Sequence, residues 1–94
     1  MATKQSFKNE IEKIYWNKQL HLSQALREEL LKTMTGLEKG DRVSYLAYRL
    51  YPHVLKETFS NKADELISLK KTLEKARWKY YFGEVLGLAF TAFK

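Results

Sequence analysis

The side chains that most often carry enzyme chemistry are few and scattered in this sequence. The chain contains two histidines, His21 and His53, and no cysteine, so thiol nucleophiles and disulfides are excluded. Two histidines alone do not supply the ligand set that a metal site needs. His21 is expected in a loop and His53 follows a proline. Each histidine is therefore interpreted as an exposed or hydrogen-bonded structural residue.

The carboxylates and glycines form no catalytic motif either. Glu28 and Glu29 are adjacent, as are Asp64 and Glu65, and adjacent residues point in different directions around a helix. No glycine-rich segment matches a phosphate-binding loop. Catalysis needs a nucleophile with its base, a carboxylate pair in a pocket or a metal. We therefore expect no enzyme activity, no cofactor and no metal, and a protein that acts by binding.

Basic and aromatic residues cluster near residue 75. The basic members of this cluster are Lys70, Lys71, Lys75, Arg77 and Lys79. Trp78 and Tyr80 lie among them, and such a combination can bind nucleic acid, because basic groups neutralise phosphates while aromatic rings stack on unpaired bases. The alternative is an ordinary basic helix surface with the rings packed inside. Because Asp64 and Glu74 on the same segment weaken the positive field, we favour this alternative and do not expect nucleic acid as the main partner.

Two further aromatic groups each allow two interpretations. Tyr45, Tyr48 and Tyr51 recur every three residues, so they form either a recognition stripe or a lining of the core whose hydroxyls reach solvent; the second is favoured. The end of the chain, WKYYFGEVLGLAFTAFK, is rich in aromatic residues. It is either packed on the protein or exposed as a binding patch. It is too short and too interrupted for a membrane span, which needs about 20 mostly apolar residues.

These side chains need helices to position them, and the apolar spacing predicts four. Apolar residues recur every three or four positions, as in Leu22, Leu26, Leu30, Met34 and Leu37, which is typical of an amphipathic helix. The predicted helices span residues 6–18, 23–37, 42–59 and 61–80. The short connections favour antiparallel neighbours. We therefore predict an all-α fold, an antiparallel four-helix bundle with an apolar C-terminal tail, 83–94, or a short fifth helix after a hinge at Gly83.

Polar residues, glycines and one proline mark the predicted helix ends. Ser6 and Ser23 are predicted to cap the first two helices, and Gly36 or Gly40 to end the second. Asp41 is expected to cap the third helix, and Ser60 or Asn61 the fourth. Pro52 interrupts the third helical pattern. It predicts a kink near residues 49–51, or a break into two short helices.

Length and charge limit the remaining possibilities. The 94 residues fit one domain, 1–94. The net charge of +6 is spread evenly, with ten basic and seven acidic residues in 1–61 and seven and four in 62–94, so no segment is a basic tail. The first ten residues lack the apolar stretch of a signal peptide, which favours a cytoplasmic location.

Three segments together resemble a known family. They are LSQALREELLKTMTGLEKGD, VSYLAYRLYPHVLKETFS and NKADELISLKKTLEKARW. Their order, their leucine pattern and the LEKG junction at Leu37 to Gly40 resemble those of the immunity proteins of pediocin-like (class IIa) bacteriocins. The resemblance is to the enterocin A immunity type. The resemblance covers roughly residues 5–80. It implies a small cytosolic antiparallel four-helix bundle that protects the producing bacterium from its own membrane-permeabilising peptide.

The resemblance also implies a partner and a site. It implies binding, at the inner membrane face, to the membrane part of a mannose-type sugar phosphotransferase already engaged by the bacteriocin, with peripheral contact to the membrane. In this family the C-terminal half discriminates between bacteriocins. The candidate partner-binding residues are then Trp78, Lys79, Tyr80, Tyr81, Phe82, Phe90 and Phe93.

Overall fold

Four α-helices follow one another along the part of the chain that the computed structural model describes, residues 4–80. They are α1 (Lys4–Tyr15), α2 (Gln24–Lys39), α3 (Val43–Ser60) and α4 (Asp64–Tyr80), with a short 3-10 turn at Lys18–Leu20 between α1 and α2. Residues 4–80 contain no strand, so the all-α prediction is confirmed. The predicted tail or fifth helix, 83–94, lies outside the described residues.

The first helix differs from its prediction at both ends. Ser6 lies inside α1 and is exposed, so its predicted role as an N-cap is wrong. The helix ends at Tyr15 rather than at residue 18, because Asn17 starts a new turn: its side-chain oxygen accepts a hydrogen bond from the Gln19 N–H at 3.0 Å. The turn ends at His21, which has a left-handed backbone with φ of 50°.

The second helix begins and ends at predicted capping residues. The Ser23 hydroxyl accepts a hydrogen bond from the Leu26 N–H at 3.2 Å, so the predicted N-cap is confirmed. Gly40, with φ of 94°, ends the helix in the left-handed conformation that favours glycine. Gly36 instead lies buried within α2, where a Cβ atom would come within 2.7 Å of Leu46 Cδ2. Its lack of a side chain lets α2 and α3 approach closely.

The third helix is continuous through its proline. α3 runs from Val43 to Ser60 with Pro52 inside it, so the predicted alternative of two short helices is wrong, and a kink stays a prediction. The α3 N-cap is Arg42, with no side-chain capping bond, so the predicted Asp41 cap is also wrong. Asp41 instead donates its backbone N–H to the Gly36 carbonyl at 2.9 Å, which closes the end of α2.

Asn61 forms the turn into the fourth helix. Its side-chain oxygen accepts the Ala63 N–H at 3.2 Å, and its side-chain nitrogen donates to the Leu20 carbonyl at 2.7 Å. The Ser60 hydroxyl donates back into α3, to the Glu57 carbonyl at 3.4 Å. Asn61, and not Ser60, therefore supports the start of α4, which begins at Asp64 rather than at residue 61.

Contacts between helices show that neighbours run in opposite directions. Ser23, before the start of α2, bonds to Glu57 near the end of α3, whereas Gly36 near the end of α2 approaches Leu46 near the start of α3. The end of α3 connects directly to the start of α4, whereas Tyr51 contacts Arg77 near the end of α4. The groove between α1 and α4 is lined by Ile14 with Asp64 near the end of α1, and by Phe7 with Thr72 near its start. The antiparallel four-helix bundle is therefore confirmed.

The inward stripes of the four helices form one core. Its buried apolar members are Phe7, Ile11, Ile14, Leu20, Leu26, Leu30, Leu37, Leu46, Ala47, Leu50, Val54, Leu66, Leu69 and Leu73. Leu22, Met34, Val43 and Ala63 pack against them from partly buried positions. Within residues 4–80, no helix combines the length and the apolar character that a membrane crossing requires.

Candidate functional site

Trp78 lies on the outside of α4, near its C-terminal end. The core positions of this helix are Leu66, Leu69 and Leu73, and Trp78 follows the last of them by five residues, which turns it away from the core. Its side chain is 47% exposed. Of the two interpretations of this tryptophan, the structure therefore favours a surface position over a core position.

Arg77 links Trp78 to the third helix. Its guanidinium carbon lies 4.0 Å from the centre of the Tyr51 ring and 5.6 Å from that of the Trp78 ring. Cations over aromatic faces are attracted by about 0.5–2 kcal/mol, depending on solvent exposure. The Arg77 Nε atom is buried and has no hydrogen-bond partner among the described residues. Among the described residues, stacking on the Tyr51 ring is therefore the contact that holds the Arg77 side chain against α3.

Polar contacts extend this group along α4. The Tyr51 hydroxyl donates to Glu74 Oε1 at 3.4 Å, and Lys70 Nζ lies 3.8 Å from the same oxygen. Lys71 and Lys75, by contrast, are exposed. The basic cluster predicted from the sequence therefore divides into residues held between the helices and residues that face solvent.

The other predicted site residues lie at or beyond the end of the described chain. Lys79 and Tyr80 lie in the last turn of α4, where the structure describes the backbone and not these two side chains. Tyr81, Phe82, Phe90 and Phe93 also lie outside the described residues. Of the predicted partner-binding set, only Trp78 can therefore be placed as an exposed side chain.

The three tyrosines of α3, like the basic cluster of α4, divide into partly buried and exposed residues. Tyr45 and Tyr51 are partly buried against the core, whereas Tyr48 is 44% exposed. Arg49 lies beside Tyr45, with its guanidinium carbon 5.8 Å from the ring centre. Two of the three tyrosines thus line the bundle, as favoured from the sequence, and the third adds an aromatic ring to the outer surface.

Sequence reasoning missed two exposed aromatic residues. Phe59 on α3 is 72% exposed, and Trp16 after α1 is 69% exposed. Trp16 packs edge-on against Tyr15, with 4.9 Å between ring centres, and Arg27 covers the Tyr15 ring at 4.6 Å. Phe59 could have been found by spacing, because it continues the series Tyr48, Pro52 and Leu55 at helical intervals.

The two histidines, which are the candidates for catalysis or metal binding, lie on the surface. His21 is exposed in the turn after α1, and His53 Nε2 lies 3.5 Å from Glu29 Oε1 on the outside of the bundle. Across residues 4–80, no group of three or more histidine or acidic side chains is placed to hold a metal ion. What the described surface offers is aromatic rings and basic groups, which suit binding to another molecule.

The described residues thus define a small antiparallel helical bundle with an aromatic and basic surface on its last two helices. Comparison with protein-family models, curated proteins and solved structures finds no match to this chain.

Proposed function

We propose that this protein is an immunity protein of the pediocin-like bacteriocin type, which protects the producing cell from the cytoplasmic side. The observation that carries the proposal is an antiparallel four-helix bundle that leaves Trp78 exposed near the end of its fourth helix. The sequence resemblance implies this architecture and places partner recognition in the same C-terminal half.

The proposed mechanism is binding without catalysis. The protein engages the membrane part of a mannose-type phosphotransferase that already holds the bacteriocin, and it blocks permeation through the opened complex. Protection then depends on the fraction of receptors that are occupied. It should therefore rise with the amount of immunity protein and saturate when every engaged receptor is bound.

The chemistry of the Trp78 region supports a recognition role. Tryptophan, tyrosine and arginine are the residue types that most often dominate binding energy at protein interfaces, and Trp78, Tyr51 and Arg77 lie together here. Because Arg77 is already stacked on Tyr51, less side-chain entropy is lost when a partner binds. Lys79, Tyr80, Tyr81, Phe82, Phe90 and Phe93 would extend the contact along the chain.

Expression in a bacteriocin-sensitive strain tests this function. Cells that carry the gene are challenged with a panel of pediocin-like peptides and compared with cells that carry an empty vector. We expect at least one peptide to need a higher concentration to kill the expressing cells. Unchanged killing by every peptide, with the protein present at a high level, would contradict the proposal. A gene for a short secreted peptide beside this gene would support it.

A small basic module that binds nucleic acid or a regulatory protein complex is the second candidate. The exposed Lys71 and Lys75 near Trp78 favour it, because basic and aromatic groups together bind single strands. Retention on single-stranded or duplex oligonucleotides at physiological salt would support this function. Retention only at very low salt would reflect net charge alone.

A further inference from the structure

An apolar stripe runs along the outside of α3. Tyr48, Pro52, Leu55 and Phe59 are spaced by four, three and four residues, so they share one face of the helix. Tyr48 is 44% and Phe59 72% exposed, Pro52 is exposed and Leu55 is partly buried. The stripe extends over about 17 Å, because each residue of a helix advances about 1.5 Å.

The stripe on α3 lies beside an outward face of α4. Tyr51 contacts Glu74 and Arg77 of α4, and Tyr48 and Leu55 are three residues before and four after Tyr51, which places them on the α4 side of α3.

The same reasoning applies to α4. Glu74 contacts α3, and Lys71 and Trp78 are three residues before and four after it, which places them on the α3 side of α4. Ile67, a further turn back, continues this row and is partly buried. We call the two rows together the α3–α4 surface: Tyr48, Pro52, Leu55, Phe59, Ile67, Lys71 and Trp78.

Basic residues border the α3–α4 surface on both sides. Arg49 and Lys56 on α3 and Lys75 on α4 are exposed at its edges. Lys71 lies within it.

The acidic residues of the two helices offset this charge only in part. The Glu74 carboxylate is engaged by Tyr51 and Lys70, and Glu57 is engaged by Ser23 on the α2 side. Asp64 and Glu65 lie in the first turn of α4. The segment of α4 from Lys70 to Trp78 therefore carries a net positive charge next to aromatic rings.

We propose that the α3–α4 surface docks on an anionic lipid bilayer, with both helices parallel to the membrane plane. Aromatic residues favour the boundary between headgroups and acyl chains, and Phe59 and Trp78 provide one such residue near each end of the surface. Basic residues at the edges attract anionic headgroups. The proposal deepens the proposed function and rests on its placement at the inner membrane face. It orients Trp78 toward the membrane part of a receptor.

The two tryptophans of the chain provide a direct test, because only Trp78 belongs to the α3–α4 surface. Trp16 lies after α1 and packs on Tyr15. Two single-tryptophan variants of the full chain, Trp16→Phe and Trp78→Phe, are titrated with vesicles of phosphatidylglycerol and phosphatidylcholine, and with vesicles of phosphatidylcholine alone. With the anionic vesicles, the emission of Trp78 should shift to shorter wavelength, and that of Trp16 should not. A shift of Trp16 alone, or of neither residue, would overturn the proposal.

Charge variants test the electrostatic part independently of fluorescence. Each basic residue near an anionic bilayer strengthens partitioning by about fivefold, so Lys71→Gln with Lys75→Gln should weaken co-sedimentation with the anionic vesicles by about thirtyfold. Lys13→Gln with Lys18→Gln removes the same charge from exposed positions on the α1 side, and should have a much smaller effect. Equal losses in the two double variants would overturn the proposal. Circular dichroism confirms that both remain folded.

Two further outcomes separate this proposal from its alternatives. If oligonucleotides at physiological salt bind more tightly than the anionic vesicles, and bind less after the Lys71 and Lys75 changes, the surface serves nucleic acid and the lipid proposal is wrong. The vesicle experiments contain neither bacteriocin nor receptor. Vesicle binding without protection in cells would therefore contradict the immunity function alone, and protection without vesicle binding would contradict the lipid surface alone.

Discussion

Arg77 shows what can and cannot be predicted at the scale of single residues. Its place beside Trp78 follows from their adjacency in sequence, but its stacking on Tyr51 does not. That contact depends on the register between α3 and α4, which is set by how the core leucines of two helices interlock. Composition therefore identifies Trp78 and the basic residues as candidates, whereas only the packed structure shows which of them face solvent.

Trp78→Ala should lower stability only moderately. Trp78 is 47% exposed, so about half of its apolar surface is buried, and we expect the free energy of unfolding to fall by about 1–2 kcal/mol after the better helix propensity of alanine is allowed for. A fully buried tryptophan would cost about 3–5 kcal/mol. Thermal or urea denaturation followed by circular dichroism measures the difference.

Trp16→Ala is the matched control, because Trp16 is also exposed, at 69%. Trp16→Ala should melt close to the wild type, and Trp78→Ala somewhat below it. A loss of several kcal/mol for Trp78→Ala alone would mean that Trp78 is a core residue, and it would remove the structural argument for its role in recognition.

At the scale of helices, apolar periodicity predicts the elements well and their ends less well. The four helices follow from leucines spaced at three and four residues, since such spacing produces one apolar stripe. The ends depend on competition between neighbouring polar residues: Asp41 looks like a cap, yet its backbone closes α2 and Arg42 occupies the N-cap of α3. Local sequence does not decide such a competition.

Pro52 is tolerated within α3 because burial on both sides holds the helix together. Leu46 and Leu50 before it and Val54 and Thr58 after it are all buried. A break at Pro52 would pull one of these groups out of the core. Their burial therefore offsets the loss of one backbone hydrogen bond and the clash of the ring with the preceding turn, about 3 kcal/mol in a helix interior.

Pro52→Ala should therefore stabilise the protein. The new N–H can donate to the Tyr48 carbonyl, and Pro52 is exposed, so little packing is lost. We expect the free energy of unfolding to rise by about 1–2 kcal/mol, which allows for the greater flexibility of the unfolded chain. Urea denaturation measures it, with Lys56→Ala on the same helix as a control that should change little. A decrease for Pro52→Ala would contradict the continuous helix.

Ser23→Ala should destabilise the protein through two contacts. Ser23 caps α2 by accepting the Leu26 N–H, and its hydroxyl donates to Glu57 Oε1 at 2.8 Å. Loss of the cap costs about 1 kcal/mol and loss of a hydrogen bond to a charged group about 1.5 kcal/mol, so we expect a total of about 2.5 kcal/mol.

Ser68→Ala provides the control for Ser23→Ala, because Ser68 is exposed within α4 and alanine is the better helix former. Its melting temperature should stay the same or rise slightly. If the two alanine variants melt alike, the contact between the start of α2 and the end of α3 does not contribute to stability.

At the scale of the whole molecule, helix packing determines which aromatic and basic residues face outward, whereas the sequence shows only that these residues are present. The even division of charge along the chain predicts no basic tail, and it does not reveal that Lys71, Lys75 and Trp78 face outward on α4. From the sequence alone, Phe59 cannot be distinguished from the buried apolar residues of α3. The core positions of the helix show that it lies outside them. The exposure of the α4 residues and of Phe59 depends on which face of each helix packs against the other three helices.

Protection of living cells tests the central claim most directly. The wild type, Trp78→Ala and Trp16→Ala are expressed at equal levels in a bacteriocin-sensitive strain, and the inhibitory concentration of each pediocin-like peptide is measured. We predict that the wild type and Trp16→Ala raise this concentration for at least one peptide, and that Trp78→Ala does not. No protection by the wild type against any peptide, or full protection by Trp78→Ala, would contradict the proposed function and its site.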